Sequence, residues 1–129
     1  MPAKKRTVLI VSADALWAGI VASRCTQGAW KARVVSTVSE AQTYKKRTVP
    51  ERVVFDVASI PESIFLIKEW KHESTEVSHA VAVCLKTLSR ADVSMFRKVG
   101  VETIWLKGHV TADVMRSWLD QSIVARPGP

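Results

Sequence analysis

The chain has 129 residues, of which 47% are hydrophobic and 24% charged, and its formal net charge is +7. We expect a single domain over residues 1–129, with a basic N-terminal arm at 1–6 and a tail at 125–129. Only two cysteines are present, Cys25 and Cys84, and both lie in apolar surroundings without the spacing of metal ligands. This pattern argues against a disulfide framework and indicates buried thiols in a reducing compartment. No apolar run has the length of a signal peptide core or a membrane span, so we expect a cytoplasmic protein without membrane association.

Five short apolar runs alternate with segments in which apolar residues recur at helical spacing. The runs, which predict strands, cover residues 7–11, 33–38, 53–56, 80–85 and 101–106. Four of the five helices have a start signal, at Ser39, Ser59, Ser89 and Thr111. Strands that alternate with helices in this way predict one α/β domain, a doubly wound parallel sheet with right-handed crossovers and helices on both faces.

One carboxylate closes a predicted strand. Asp56 ends the run Val53-Val-Phe-Asp56, and a proline-containing helix start follows it directly. The carboxyl ends of the strands in an open parallel sheet form the edge at which ligands bind. Asp56 is therefore the first candidate for a functional residue.

Several segments carry a resemblance to a known family. Val8-Leu-Ile-Val11, Val54-Phe-Asp56 with Pro61 beyond it, and Gly100-Val-Glu-Thr-Ile-Trp-Leu-Lys107 lie at corresponding spacings over nearly the whole chain. Together they resemble the receiver (CheY-like) domain of two-component response regulators. The resemblance implies a flavodoxin-like (βα)5 fold with strand order 2-1-3-4-5. It also implies that Asp56 is the phosphoacceptor and that Lys107 contacts the phosphoryl group.

The sequence departs from the family at the acidic pair that follows the first strand. Receivers have two carboxylates there because a magnesium ion needs oxygen ligands beside the phosphoacceptor. This chain has Ser12 and Ala13 at those positions, and Asp14 comes one place late. We therefore expect no cofactor, and Mg²⁺ binding is disfavoured.

The positions that switch a receiver are also altered. The hydroxyl residue at the end of the fourth strand corresponds to Cys84, Leu85 or Lys86, and Thr87 fits only with a shifted alignment. The aromatic residue of the fifth strand is replaced by Ile104, and the neighbouring Trp105 is expected on the other face.

These losses favour a pseudo-receiver, a signalling module that acts through protein–protein interaction rather than as an enzyme. The structural interpretation is that Asp56 and Lys107 form an ion pair, because a buried carboxylate needs a partner. The alternative is a phosphorylatable response regulator with Asp56 as the acceptor in a phosphorelay. Receivers commonly pair through the face of the fourth helix, fifth strand and fifth helix, which predicts a possible homodimer here through Val93, Phe96 and Ile104.

Basic residues gather at the amino edge of the predicted sheet. We assign a basic docking edge to Lys45, Lys46, Arg47 and Arg52, and Trp30 is a candidate exposed anchor. Favourable interaction of cations with the carboxyl ends of helices explains part of this arrangement. Docking of an acidic protein partner is the other interpretation. A nucleic-acid or nucleotide-binding module is a third and less favoured one, because no recognition motif accompanies the charge.

Overall fold

The computed structural model describes residues 6–27, 30–48, 50–73 and 81–121, with backbone alone at positions 72 and 73. Most of the predicted N-terminal arm and the predicted tail lie outside these ranges. The sheet has five strands: β1 (Arg6–Val11), β2 (Trp30–Val35), β3 (Arg52–Asp56), β4 (Val81–Leu85) and β5 (Thr103–Leu106). Every pair of neighbouring strands is parallel, and their order is 2-1-3-4-5. The predicted flavodoxin-like architecture is confirmed.

A helix follows each strand, and the helices divide between the two faces of the sheet. They are α1 (Ala15–Thr26), α2 (Val38–Arg47), α3 (Ser63–Glu73), α4 (Arg90–Val99) and α5 (Ala112–Asp120). Buried residues of α2, α3 and α4 pack on one face, and those of α1 and α5 pack on the other. The sheet is therefore covered on both sides, which explains why β3 and β4 are buried throughout and, apart from Arg52 and Asp56, apolar. No helix among the described residues has the length and apolar character needed to cross a bilayer.

Helix ends follow local side-chain chemistry. The hydroxyls of Ser89 and Thr111 accept hydrogen bonds from backbone N–H groups in the first turns of α4 and α5, as predicted. Gly100 ends α4 with φ = 104°, a left-handed conformation that glycine adopts without strain. These three residues fix the two helices that flank β5.

Several predicted boundaries were wrong. Strand β2 covers Trp30–Val35 and not 33–38, because its position at the edge of the sheet leaves Lys31, Arg33 and Val34 exposed and interrupts the apolar pattern. Strand β5 begins at Thr103 and not at 101. Helix α2 begins after Thr37, whose hydroxyl accepts from the backbone N–H of Glu40, so the capping residue precedes Ser39. Helix α3 begins at Ser63, and Ser59 lies in the turn before it.

Strand register places the candidate residues at one end of the sheet. Asp56 pairs with Cys84 on the neighbouring strand, and Cys84 pairs in turn with Trp105. Lys107 follows β5 directly, and its backbone N–H donates to the carbonyl of Leu85. The carboxyl ends of β3, β4 and β5 therefore bring Asp56 and Lys107 to the same edge.

Candidate functional site

Asp56 lies at the centre of a hydrogen-bonded cluster at the carboxyl edge of the sheet. Its side chain has no solvent exposure. One oxygen, Oδ2, accepts a 2.7 Å hydrogen bond from the hydroxyl of Ser12 and lies 2.9 Å from Nζ of Lys107. The other oxygen, Oδ1, is buried and has no hydrogen-bond partner in the described part of the chain. The carboxylate is thus neutralised through one of its two oxygens.

Lys107 joins two carboxylates. Its Nζ lies 2.8 Å from Oδ2 of Asp14 as well as 2.9 Å from Asp56, and it sits 5.3 Å from the ring centroid of Trp17. Burial acts to lower the pKa of Lys107, but hydrogen bonds and charge interactions with the two carboxylates outweigh it and raise the pKa above its usual value. The ammonium group is therefore held in its charged form.

Asp14 uses its two oxygens for different tasks. Oδ1 accepts a 3.1 Å hydrogen bond from the backbone N–H of Trp17 and so caps α1, while Oδ2 contacts Lys107. The hydrogen bond from Lys107, followed by that from Trp17, lowers the pKa of Asp14 below its usual value. In the sequence, Asp14 lies one residue after the pair of positions at which the family has carboxylates. In the structure, Asp14 is part of the site because its carboxylate contacts Lys107.

Two hydroxyls complete the cluster. Ser12 is buried at the end of β1, and its Oγ also accepts a 3.1 Å hydrogen bond from the backbone N–H of Asp14. The Oγ of Ser59 accepts a 3.0 Å hydrogen bond from the backbone N–H of Ala13. Ala13 thus contributes its backbone, and the loops after β1 and β3 are fastened to each other beside Asp56.

The arrangement does not fit a magnesium ion. Asp14 and Asp56 supply two carboxylates, but the Lys107 ammonium lies within ion-pair distance of both. Within the described ranges, no three histidine, cysteine or acidic side chains group as metal ligands. A divalent cation held by both carboxylates would lie beside the Lys107 ammonium that already neutralises them, which is unfavourable in a partly buried site. Chemically, the cluster is suited to holding a fixed ion pair.

The predicted switch positions lack a hydroxyl group close to Asp56. Cys84 is a buried free thiol opposite Asp56, and burial followed by the charge of Asp56 raises its pKa, which Lys107 opposes. Leu85 is buried on the opposite face from Cys84. Ile104 is partly buried on the same face as Leu85, while Trp105 packs on the other one, as strand alternation predicted.

Arg52 was wrongly assigned to the basic docking edge. Lys46 and Arg47 are exposed and Lys45 is half-buried in the last turn of α2, but Arg52 is only 1% exposed. Its guanidinium lies over the rings of Trp30 and Trp118, at 5.8 and 5.2 Å from their centroids, and donates to the backbone carbonyl of Gln121. Arg52 therefore fastens the end of α5 to the sheet.

Two aromatic residues are also placed differently from expectation. Trp30, a candidate exposed anchor, is the buried first residue of β2. Phe96, assigned to the pairing face, is 1% exposed and packs in the core. A homodimer through α4, β5 and α5 would thus have to use other residues of that face.

Sequence reasoning missed Trp17 and Ser59 as members of the site. The helical spacing of Trp17 is that of an ordinary core residue, and Ser59 was assigned as a helix cap. A signal for Trp17 was present, because an aspartate three residues before it is a cap pattern that brings the first turn of α1 beside the Asp14 carboxylate. Ser59 carries no comparable signal, since its bond to Ala13 joins two loops that are distant in the chain.

Solved structures of response regulators have a fold similar to that of this chain. A response regulator receiver domain protein (CheY-like) from Methanospirillum hungatei JF-1 superimposes with a TM-score of 0.78 at 12% identity, covering 90% of this chain and 91% of that one. A response regulator from Thermotoga maritima gives a TM-score of 0.76 at 22% identity, with coverages of 88% and 95%. The chain has the fold of a response-regulator receiver domain.

A third structure with the receiver fold carries a modified site. It is a response regulator protein from Burkholderia pseudomallei with a phosphorylated aspartic acid, a calcium ion and citrate. Its TM-score is 0.76 at 16% identity, over 92% of this chain and 68% of that one. No protein-family model and no curated protein sequence matches the chain. The likeness is thus one of structure, and the site must be interpreted from its own residues.

Proposed function

We propose that the chain is a receiver-like signalling module that acts through protein–protein interaction, independently of phosphorylation at Asp56. The observation that carries the proposal is the hydrogen bond of 2.7 Å that the buried Ser12 hydroxyl donates to Asp56, at a position where the family resemblance requires a metal-binding carboxylate. Lys107, the lysine that the resemblance assigns to the phosphoryl group, lies 2.8 and 2.9 Å from the Asp14 and Asp56 carboxylates. The receiver fold supports a signalling role, since folds of this type serve as regulatory modules.

The phosphoryl-transfer chemistry of such a site depends on positioning and on neutralising charge. A phosphodonor must reach the acceptor carboxylate, and the Asp56 side chain is fully buried. Ser12 and Lys107 both bind Oδ2, so this oxygen would have to exchange two short contacts before it could react. Both features favour a site that stays unphosphorylated and in one conformation.

The test is an NMR titration of the protein with beryllofluoride and magnesium, a combination that mimics a phosphorylated aspartate. We expect no chemical-shift change at Ser12, Asp56, Cys84 or Lys107. The matched positive control is the variant Ser12→Asp/Ala13→Asp, which supplies the two missing carboxylates and should gain a magnesium-dependent response. Clear shifts in the unmodified chain would overturn the proposal.

The second candidate is a phosphorylatable regulator with Asp56 as the acceptor. One observation favours it: Oδ1 of Asp56 has no hydrogen-bond partner within the described residues and so remains available to a new bond. Incubation with acetyl phosphate and magnesium, followed by intact-mass measurement, distinguishes the two. A mass increase of one phosphoryl group that is absent from Asp56→Asn would support this candidate.

A further inference from the structure

Strand β2 forms an open edge of the sheet. It stands first in the strand order 2-1-3-4-5, so among the described residues it pairs with β1 alone. The carbonyl of Val35 accepts a 3.0 Å hydrogen bond from the backbone N–H of Ser12, directly after β1. The N–H and C=O groups of a strand point to alternate sides from one residue to the next, so those of Ala32 and Val34 point away from β1. The outer edge of β2 thus carries main-chain donors and acceptors that no described strand uses.

Side chains along this edge differ between the two faces of the sheet. Ala32 packs on the face covered by α1 and α5, and Val35 packs on the face covered by α2, α3 and α4. Strand alternation puts Val34 on the first of these faces and Lys31 and Arg33 on the second. Val34 is 40% exposed, and both basic side chains are exposed. The edge is therefore apolar on one face, basic on the other, and accessible on both.

The two cations of this edge lack an ion-pair partner in the described part of the chain. Lys31 and Arg33 make no ion pair or side-chain hydrogen bond with another described residue. They lie two positions apart on one face, which separates them by roughly 7 Å along the strand. Acidic side chains at every second residue of a neighbouring strand would have the same spacing and lie on the same face.

The space beside this edge is open on the face covered by α1. Trp17 lies against Lys107, and Arg24 donates to a carbonyl of the same loop, so both point from α1 towards β5. Helical spacing places Ala15 and Gly19 on the opposite side of α1, towards the outer edge of β2. Ala15 is exposed, and a Cβ added to Gly19 would meet no atom within 4 Å. The small residues on this side of the helix leave room for a further strand beside β2.

We propose that an acidic, extended segment of a partner protein adds to the outer edge of β2 as a sixth strand. Its carboxylates pair with Lys31 and Arg33, and its apolar side chains cover Ala32 and Val34 on the other face. In this mode of recognition, main-chain hydrogen bonds provide affinity and alternate side chains provide specificity. Basic side chains on a sheet edge oppose pairing with strands of like charge, which leaves an acidic strand as the one that fits.

Charge and pairing geometry disfavour the other occupants. A second copy that paired edge to edge would set its own Lys31 and Arg33 beside the first pair, and like charges on adjacent strands repel. The net charge of +7 on each copy adds to this repulsion. A nucleic-acid backbone would contact the two cations through its phosphates and would leave the main-chain edge and Val34 uncovered.

This inference rests on the proposed function, because it names the surface and the kind of partner through which the module would act. It does not depend on whether Asp56 accepts a phosphoryl group. The two proposals can therefore fail separately: the beryllofluoride titration tests the Asp56 site, and the titration described next tests the edge of β2.

The probe is a fluorescein-labelled hexapeptide of alternating glutamate and valine, followed by fluorescence anisotropy and by NMR. We expect saturable binding that weakens with salt, and slower amide hydrogen exchange at Ala32 and Val34 in the complex. Lys31→Glu/Arg33→Glu should weaken binding about tenfold. Circular dichroism establishes that the variant is folded.

Two N-methylated peptides test main-chain pairing without any change to the protein. One is methylated at the valines and the other at the glutamates. Alternate N–H groups of a paired strand face its neighbour, so one peptide should lose more than about tenfold in affinity while the other binds as the parent does. A peptide of the same composition with its glutamates grouped before its valines should also bind about tenfold more weakly, because it lacks the alternation.

The matched control is Arg97→Glu/Lys98→Glu, which makes the same change of net charge at exposed residues in the last turn of α4. It should alter peptide affinity by less than about twofold. Equal weakening by both double variants would overturn the proposal, because net charge alone would then explain binding. It would also be overturned if both N-methylated peptides bound as the parent does, or if exchange at Ala32 and Val34 did not slow at saturation. Tighter binding of an unrelated DNA duplex that displaced the peptide would overturn it as well.

Discussion

Nζ of Lys107 lies 2.8 Å from Oδ2 of Asp14, a residue one position beyond the pair that the family resemblance assigns to metal-binding carboxylates. The displacement by one residue puts the carboxylate at the start of α1, where it contacts an ammonium group on the loop after β5. Asp56 contributes the second contact at 2.9 Å. A lysine therefore provides the positive charge between two acidic side chains at the edge of the sheet.

Removal of Lys107 should destabilise the protein. Lys107→Ala leaves the buried Asp56 carboxylate with a hydroxyl donor alone, and we expect a loss of roughly 2–3 kcal/mol in the free energy of unfolding. This range is below the value for a fully buried pair, since the Lys107 side chain is 19% exposed. Urea denaturation measures it. Lys86→Ala, at an exposed lysine after β4, should change stability by less than about 0.5 kcal/mol.

A double-mutant cycle shows whether the loss of stability in Lys107→Ala arises from the interaction with Asp56. In an Asp56→Asn background the carboxylate charge is gone, so Lys107→Ala should destabilise the protein much less than in the unmodified chain. An equal loss in both backgrounds would contradict the ion-pair interpretation and would assign the effect of Lys107 to packing on Trp17.

The ion cluster should produce a defined dependence of stability on pH. The pKa of Asp14 is lowered from 3.8 in the folded chain, so its contribution is present above about pH 4 and is lost as the pH falls through the lowered value. The pKa of Lys107 is raised from 10.5, so its contribution is present below that pH and is lost as the pH rises through the raised value. Urea denaturation from pH 2 to 11 should therefore show a plateau between these limits.

Asp14→Asn is the control for the acid limb. It removes the group whose pKa is lowered, so the variant should lose less stability than the unmodified chain as the pH falls below about 4. A parallel fall in both proteins would show that other carboxylates cause the acid sensitivity.

Both thiols should resist modification in the folded protein. Burial raises the pKa of Cys25 from 9.0 to about 11, and Cys84 is shifted in the same direction. The thiolate is the reactive form, so at pH 8 about one Cys25 in a thousand is ionised. Iodoacetamide at that pH should label neither residue before unfolding and both in urea, as measured by intact mass. Rapid labelling of the native chain would contradict the burial of these side chains.

Three glycine-to-alanine substitutions should have different effects. Gly100 has φ = 104°, and an added Cβ would lie 3.0 Å from Cε of Lys71, so Gly100→Ala combines backbone strain with a contact. Gly108 has φ = 91° but open space, so Gly108→Ala should destabilise by about 1 kcal/mol and Gly100→Ala by more. Gly19→Ala, in the interior of α1 with no atom within 4 Å, should stabilise by about 0.5–1 kcal/mol. Thermal unfolding of the three variants gives the order directly.

The fold could be predicted from sequence because its signals are local. Val53-Val-Phe and Val81-Ala-Val-Cys-Leu are apolar throughout, as strands covered on both faces must be. Ser89 and Thr111 cap helices through bonds within one turn. The edge strand β2 has buried and exposed residues without regular alternation, so its Trp30 resembled a loop residue and both of its ends were misplaced.

The site could be predicted only in part. Asp56 ends β3 and Lys107 follows β5, the strands on either side of β4, so a parallel sheet brings both residues to the same edge whatever the conformation of the loops. The partner of Asp14 and the bond from Ala13 to Ser59 depend on how two loops close, and no residue pattern encodes that. Arg52 was misassigned because a charged side chain is ordinarily exposed, and its burial depends on Trp30 and Trp118, which are distant in sequence.

The Asp14 carboxylate links the Lys107 ammonium to the first turn of α1, because one of its oxygens contacts the lysine and the other accepts a hydrogen bond from the backbone of Trp17. Any event that pulls Lys107 away, whether a bound anion or a docking partner, would leave the Asp14 side chain held only by its hydrogen bond from the backbone N–H of Trp17. The less restrained cap would allow the first turn of α1 to fray, and this fraying would report the loss of the lysine contact at a distance from Asp56. The rate of amide hydrogen exchange at residues 15–18 should therefore indicate whether Lys107 is in contact with Asp14.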